Sequence, residues 1–98
     1  MPVEASYDYY TSSCGQISAG LWTCTAHETV VADYPVHEFI FLLEGSIILT
    51  VEGEEHVFEA GDAFFIPQGL RCSWRQPTAL KKCYIVYTPV EPEATAKL

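Results

Sequence analysis

Through its first seventy residues the chain has no Lys or Arg, and over all 98 residues 5 basic side chains stand against 13 Asp and Glu, a net charge of −8. Such a surface repels phosphate. The four cations that do cluster, Arg71, Arg75, Lys81 and Lys82, are too few to line a basic groove, so nucleic acid is not expected as a partner. Long apolar runs are missing as well. The longest, Phe39-Ile40-Phe41-Leu42-Leu43, has five residues, far short of a membrane-spanning helix, so no membrane partner is expected. The opening residues, Met1-Pro2-Val3-Glu4-Ala5, have neither the basic region nor the apolar stretch of a secretory signal, and the expected location is the cytosol. Paired metal-ligand spacings are absent too: Cys14, Cys24, Cys72 and Cys83 are too widely separated for a thiolate zinc site, and His27, His37 and His56 make no pair. Free, mostly buried thiols in a reducing compartment are the expectation.

What is present is 49% hydrophobic and 13% aromatic residues, enough for one folded domain. A chain of this size buries only about 60–70% of its unfolded surface, so a subunit interface would add burial that the core lacks. No window of a dozen residues repeats its apolar positions every 3.6 residues, whereas short β-rich runs recur between turn signals. They predict strands at 17–26, 29–33, 38–43, 46–51, 56–59, 63–67, 71–76 and 82–88. The separators Glu44-Gly45, Glu52-Gly53-Glu54, Ala60-Gly61-Asp62 and Pro67-Gln68-Gly69 each carry a Gly where the chain reverses. The fold class is therefore all-β, an antiparallel jelly-roll barrel or sandwich. Residues 1–16 are expected to form an N-terminal arm, 17–88 the barrel and 89–98 a polar, proline-broken C-terminal tail.

The run 39–43 is apolar on both faces of a strand, where burial on one face alone would alternate. Ile40 and Leu42 share a face with Glu38, and Phe39, Phe41 and Leu43 share the other with His37. With the first set inside, the second is left for a partner, and a homodimer using Phe39 and Phe41 is expected.

Two spaced motifs carry the chemistry. One is Glu38, six residues, then Gly45; the other is Gly61-Asp62-Ala63-Phe64-Phe65-Ile66-Pro67-Gln68-Gly69. Together they resemble the two sequence motifs of the cupin superfamily, small antiparallel jelly-roll barrels (double-stranded β-helices), over about residues 17–88. More narrowly, Gly20-Leu21-Trp22, Glu38-Phe39 with Leu43-Glu44-Gly45, and Pro67-Gln68-Gly69-Leu70-Arg71-Cys72-Ser73-Trp74 resemble the ureidoglycine aminohydrolase-type and ethanolamine-utilisation-type branch. Independently of the resemblance, the turn at 67–69 followed by strand alternation puts Cys72 and Trp74 inside and Arg71, Ser73 and Arg75 outside.

Metal-binding cupins carry His, any, His, three or four residues, Glu, and a further His after the second motif. Here only Glu38 is present; the His positions fall on Ala32 and Tyr34, or on Val31 and Asp33, and on Cys72. The expected barrel binds no metal and no cofactor. The sharper alternative is a zinc site from Glu38, Cys72 and a displaced His27 or His37. In the metal-free barrel, Glu38 is a buried carboxylate bonded to Tyr34 or to a Trp N–H. The expected function is binding of a small polar metabolite in a pocket lined by Tyr34, Glu38, Cys72 and Trp74, with Trp22 and Tyr84 as further lining, and the resemblance implies a ureido or amine compound as one ligand. Two rivals stand beside it: a hydrolase or isomerase with Glu38 as the catalytic general base, and a non-catalytic interaction module acting through the Phe39/Phe41 face. The outward arginines are expected to pair with acids from earlier strands or a second subunit, or else to draw in an anionic ligand at the barrel mouth.

Overall fold

A computed structural model describes residues 2–89. Nine strands form: β1 (Glu4–Thr11), β2 (Ile17–Cys24), β3 (His27–Val31), β4 (His37–Glu44), β5 (Ser46–Val51), β6 (Glu54–Glu59), β7 (Ala63–Ile66), β8 (Cys72–Gln76) and β9 (Leu80–Tyr87). They make a five-stranded sheet in the order β1-β2-β9-β4-β7 and a four-stranded sheet in the order β3-β8-β5-β6, antiparallel throughout. The molecule is the all-β jelly roll that its period-2 patterning predicts. Among the described residues no helix is long and apolar enough to cross a membrane.

Each inner face is supplied by alternate residues. Ile40 and Leu42 of β4 and Ile47 and Leu49 of β5 meet Ile66, Cys72, Trp74 and Leu80 in one core between the sheets. The turn from β4 into β5 depends on Gly45, which has φ 86° and whose missing Cβ would run into the carbonyl oxygen of Ala79. Just before it the β4–β9 register slips between Leu42 and Glu44, a bulge that ends the strand.

The eight expected strands all form, with ends displaced by a few residues. The ninth, β1, lies within the expected N-terminal arm and is hydrogen-bonded along β2 from Glu4↔Cys24 to Thr11↔Ser18. Its approach requires Gly20, where a Cβ would strike the carbonyl oxygen of Tyr7. Beyond residue 89, the expected tail lies outside the described residues.

The two outer faces differ. That of the four-stranded sheet mixes Glu28, Arg75, Ser73, Thr50 and Glu55 with Val30, Ile48 and Val57. That of the five-stranded sheet exposes Phe39, Phe41, Phe65, Ile85 and Tyr87. Arg71 and Arg75 project outward as alternation requires, but neither forms an ion pair among the described residues; the pairs are Lys81–Glu44 at 4.0 Å and Lys82–Glu38 at 2.7 Å. Exposed arginines gain only about 0–1 kcal/mol from pairing, too little to hold a flexible side chain in place.

Candidate functional site

The turn at 67–70 positions the first residue of the site. Tyr34 donates its backbone N–H to the Leu70 carbonyl at 3.0 Å and accepts from the Gly69 N–H at 2.8 Å. Gln68 completes the clamp: its side-chain amide donates to the Pro35 carbonyl at 3.2 Å, and its backbone N–H donates to His37 Nδ1 at 3.1 Å. The second motif thus fixes the segment that precedes the first, and the Tyr34 ring enters the barrel beside Glu38.

Glu38, the first inward residue of β4, is 6% exposed, and both its oxygens are engaged. The Tyr34 hydroxyl donates to Oε1 at 2.6 Å and the Lys82 ammonium to Oε2 at 2.7 Å. Lys82 stands opposite Leu42 in the β4–β9 register, so its stem runs along the inner face to reach Glu38. Its ammonium lies 4.5 Å from the ring centroid of Trp22 and 5.2 Å from that of Trp74, and the two indoles meet edge to face at 6.5 Å. A cation between two indole faces and bonded to a carboxylate compensates much of the desolvation that burial imposes. The indole N–H groups are occupied elsewhere, Trp22 donating to Glu4 Oε1 at 2.9 Å and Trp74 to Gln76 Oε1 at 2.7 Å. Gln76 in turn donates to the Thr25 carbonyl at 2.9 Å.

Two small cavities flank the ion pair. One, of about 240 Å³, is lined by Trp22, His27, Thr29, Tyr34, Trp74 and Lys82. The other, of about 230 Å³, is lined by Ser6, Trp22, Glu38, Lys82, Tyr84 and Val86. Lys82 and Trp22 belong to both and form the partition between them. A larger groove of about 690 Å³ opens where the turn after β5 meets the start of β8, with Val51, Glu52, Leu70, Arg71 and Cys72 among its lining.

Burial, together with the neighbouring Glu38 charge, raises the pKa of Tyr34 well above the ordinary phenol value, so its hydroxyl is a fixed donor. Tyr84 is pushed up to about 12 by burial and by its hydrogen bond to Asp8. Burial also raises the Cys72 thiol, which opposes both nucleophilic attack and metal ligation.

Of the residues expected in the pocket, Tyr34, Glu38, Trp22, Trp74 and Tyr84 line the two cavities. Cys72 does not. It packs in the core at 3% exposure, opposite Val31 and one inward position before Trp74 on β8, where it borders the larger groove. His27 reaches the first cavity, whereas His37 faces outward, stacked between Phe65 and Tyr87. The zinc alternative therefore does not fit: its carboxylate is neutralised by an ammonium, its thiol is held protonated, and His37 is on the wrong face. Among the described residues no three of His, Cys, Asp and Glu converge. The side chain missed in the sequence is Lys82. Alternation on β9 from Tyr84, already assigned inward, points to it.

The model of the EutQ-like cupin domain family matches residues 11–84. No curated protein matches the chain. Among solved structures, a DUF861-family protein of unknown function from Pseudomonas syringae superposes with TM-score 0.83 at 28% identity, covering 87% of this chain and 37% of that one. A DUF861-family protein from Thermotoga maritima is 32% identical, with TM-score 0.62, covering 68% of this chain and 76% of that one. The EutQ protein of Clostridium difficile shares the fold, with TM-score 0.73 at 18% identity over 89% of this chain and 69% of its own. The chain spans little more than a third of the Pseudomonas protein but most of the other two. With both motifs in place and three quarters of its length matched, the chain belongs to the EutQ-like cupin domain family.

Proposed function

We propose that the barrel interior binds a small polar metabolite that takes a hydrogen bond from Lys82 and gives one to Glu38, with the indoles of Trp22 and Trp74 as apolar walls. The observation that carries this reading is the buried Glu38–Lys82 pair, 2.7 Å apart and flanked on both sides by open space. A buried ion pair is often no more stabilising than apolar filling of the same volume, so folding alone does not call for it. Lys82 supplies the positive charge of the site, and an ammonium has three donors, of which Glu38 takes one. The cavities are smaller than the roughly 300–1,000 Å³ of drug-sized pockets, which restricts the ligand to a small molecule. A ureido or carboxamide group offers the matching pair, a carbonyl for Lys82 and an N–H for Glu38. Similarity to the ureidoglycine aminohydrolase-type branch supports the same class. Free thiols suit the cytosol as its location.

Binding without catalysis is favoured over a hydrolase or isomerase. Each Glu38 oxygen already accepts one hydrogen bond and keeps a lone pair for a ligand N–H, whereas a general base there would have to take up a proton and give up its ion pair with Lys82. Calorimetric titration of N-carbamoylglycine, a minimal ureido acid, into the wild type and into Glu38→Gln/Lys82→Met tests the reading. Saturable binding by the wild type and at least about tenfold weaker binding by the double variant are expected, about 1.4 kcal/mol for one lost charged hydrogen bond. Equal affinities would remove the ion pair from the site.

A further inference from the structure

We infer that the groove between the β5–β6 turn and the start of β8 is a second binding site, built for a free α-amino acid with an apolar side chain. It shares no lining residue with the two interior cavities, so it stands or falls independently of what the barrel binds.

The groove is a parting of two paired strands. β5 and β8 are joined through Ile48↔Arg75, Leu49↔Trp74 and Thr50↔Ser73, and the ladder stops there. Both strands carry on: Val51 pairs with Glu54 on β6, and Cys72 pairs with Val31 on β3. Each strand keeps its other neighbour while the two separate. The space between them, about 690 Å³, lies within the roughly 300–1,000 Å³ typical of ligand pockets.

Continued past Thr50↔Ser73, the same register sets Glu52 opposite Arg71. Opposite charges at facing positions of a closed ladder attract and stabilise it. Here both residues line the groove, yet among the described residues neither forms an ion pair. A carboxylate and a guanidinium thus flank one opening from its two sides. The turn adds a second reason to assign Glu52 a role. Glu52-Gly53 is a two-residue hairpin loop with φ 52° and 80°, the left-handed pair for which Asn-Gly is preferred. The short Asn side chain supports that conformation by local hydrogen bonds that the longer Glu does not make, and Glu52 is the single non-Gly residue with positive φ among the described residues. A carboxylate is kept where the turn itself prefers an amide.

The ligand's chemistry follows from the two anchors. Arg71 suits a carboxylate, which its guanidinium takes through two parallel N–H donors, and Glu52 suits an ammonium. A simple anion would be repelled by Glu52 and by the net charge of −8, whereas a zwitterion carries no net charge. Anchors at facing register positions fit a carboxylate and an ammonium borne on one carbon, not the distant termini of a long peptide. Val30, 66% exposed, with the half-buried Val51 and Leu70, supplies an apolar wall for the side chain.

Calorimetric titration of L-leucine into the full chain, with backbone amide shifts to locate it, tests the inference. Expected are saturable binding with shifts at Glu52, Gly53, Arg71 and Ser73, and at least about tenfold weaker binding of L-leucinamide, which lacks the carboxylate, and of N-acetyl-L-leucine, which lacks the ammonium. Arg71→Met and Glu52→Asn should each weaken leucine binding by about tenfold or more. Glu52→Asn is expected to melt no lower than the wild type, because Asn suits the turn, so its loss of binding is not a loss of folding. Absence of leucine binding overturns the inference. So does binding that either variant leaves intact, binding of either blocked analogue as tight as that of leucine, or shifts confined to residues of the barrel interior.

Discussion

Lys82 and Glu38 are each less than a tenth exposed, so removing either leaves the other as a buried charge with no counter-ion. Lys82→Met is expected to cost about 3–5 kcal/mol in urea unfolding. Adding Glu38→Gln should restore most of that loss, because the amide carries no charge and still accepts from Tyr34. A double variant no more stable than Lys82→Met alone would show that packing, not charge, sets the cost. The cysteines divide by environment in the same way. Cys14 is exposed, and hydrogen bonds from the Ser12 hydroxyl and the Gln16 amide lower its pKa, whereas burial raises Cys24 and Cys72. Iodoacetamide should therefore modify Cys14 first and Cys24 and Cys72 only on unfolding; labelling of Cys72 at the rate of Cys14 would contradict the packing described for it. Tyr84 adds a pH dependence. In the folded chain it holds its proton to about pH 12, while in the unfolded chain it ionises near the ordinary value of 10. Between these values the native state binds more protons, so stability falls as pH rises through the window. Tyr84→Phe should make that part of the profile shallower in thermal melts taken from pH 9 to 12, leaving the slope that the raised pKa of Tyr34 contributes.

At the scale of elements, β1 is the strand whose attachment matters most to the pocket. It carries Ser6 to the second cavity, Asp8 to Tyr84 and Glu4 to the Trp22 indole. Gly20→Ala puts a methyl group into the Tyr7 carbonyl, and the backbone there cannot move without losing the β1–β2 pairing. We expect a loss of about 1–3 kcal/mol, with β1 amides exchanging fast while the β2–β9 amides keep their protection. Unchanged exchange in β1 would mean that the strand tolerates the displacement. The same element explains what was hidden in the sequence. Eight strands announce themselves by apolar alternation between Gly and Pro turns. In β1 the pattern is inverted: Ser6 and Asp8 point inward and Tyr7 outward, and all eight residues are exposed. A strand that buries no apolar face gives the period-2 pattern nothing to mark.

Over the whole molecule, the fold and most of the pocket lining were legible because motif spacing and strand alternation fix which side chains share the interior. Alternation turns Glu38 and Trp74 inward and the motif spacing sets Tyr34 just before them, while Trp22 and Tyr84, expected as further lining, carry no such signal. The central cation was not legible. A Lys in an exposed-looking basic segment reads as surface, and only the position of Lys82 on the inward side of β9 shows that it neutralises Glu38 across the barrel. Cys72 differs in the opposite sense: alternation turns it inward, but at that level it packs in the core and borders the larger groove, not the two cavities beside Glu38. The jelly roll thus has two differently built surfaces, a polar, charge-neutral interior and an apolar outer sheet face, set apart by the central strands β4 and β9.

The claim that the interior is a binding site is tested most directly by the two indole N–H resonances of Trp22 and Trp74, which bracket Lys82. During titration with N-carbamoylglycine, both should shift saturably with one shared dissociation constant, and neither should respond in Glu38→Gln/Lys82→Met. Indole resonances that stay fixed while the ligand binds elsewhere, or that move equally in the double variant, would contradict the account.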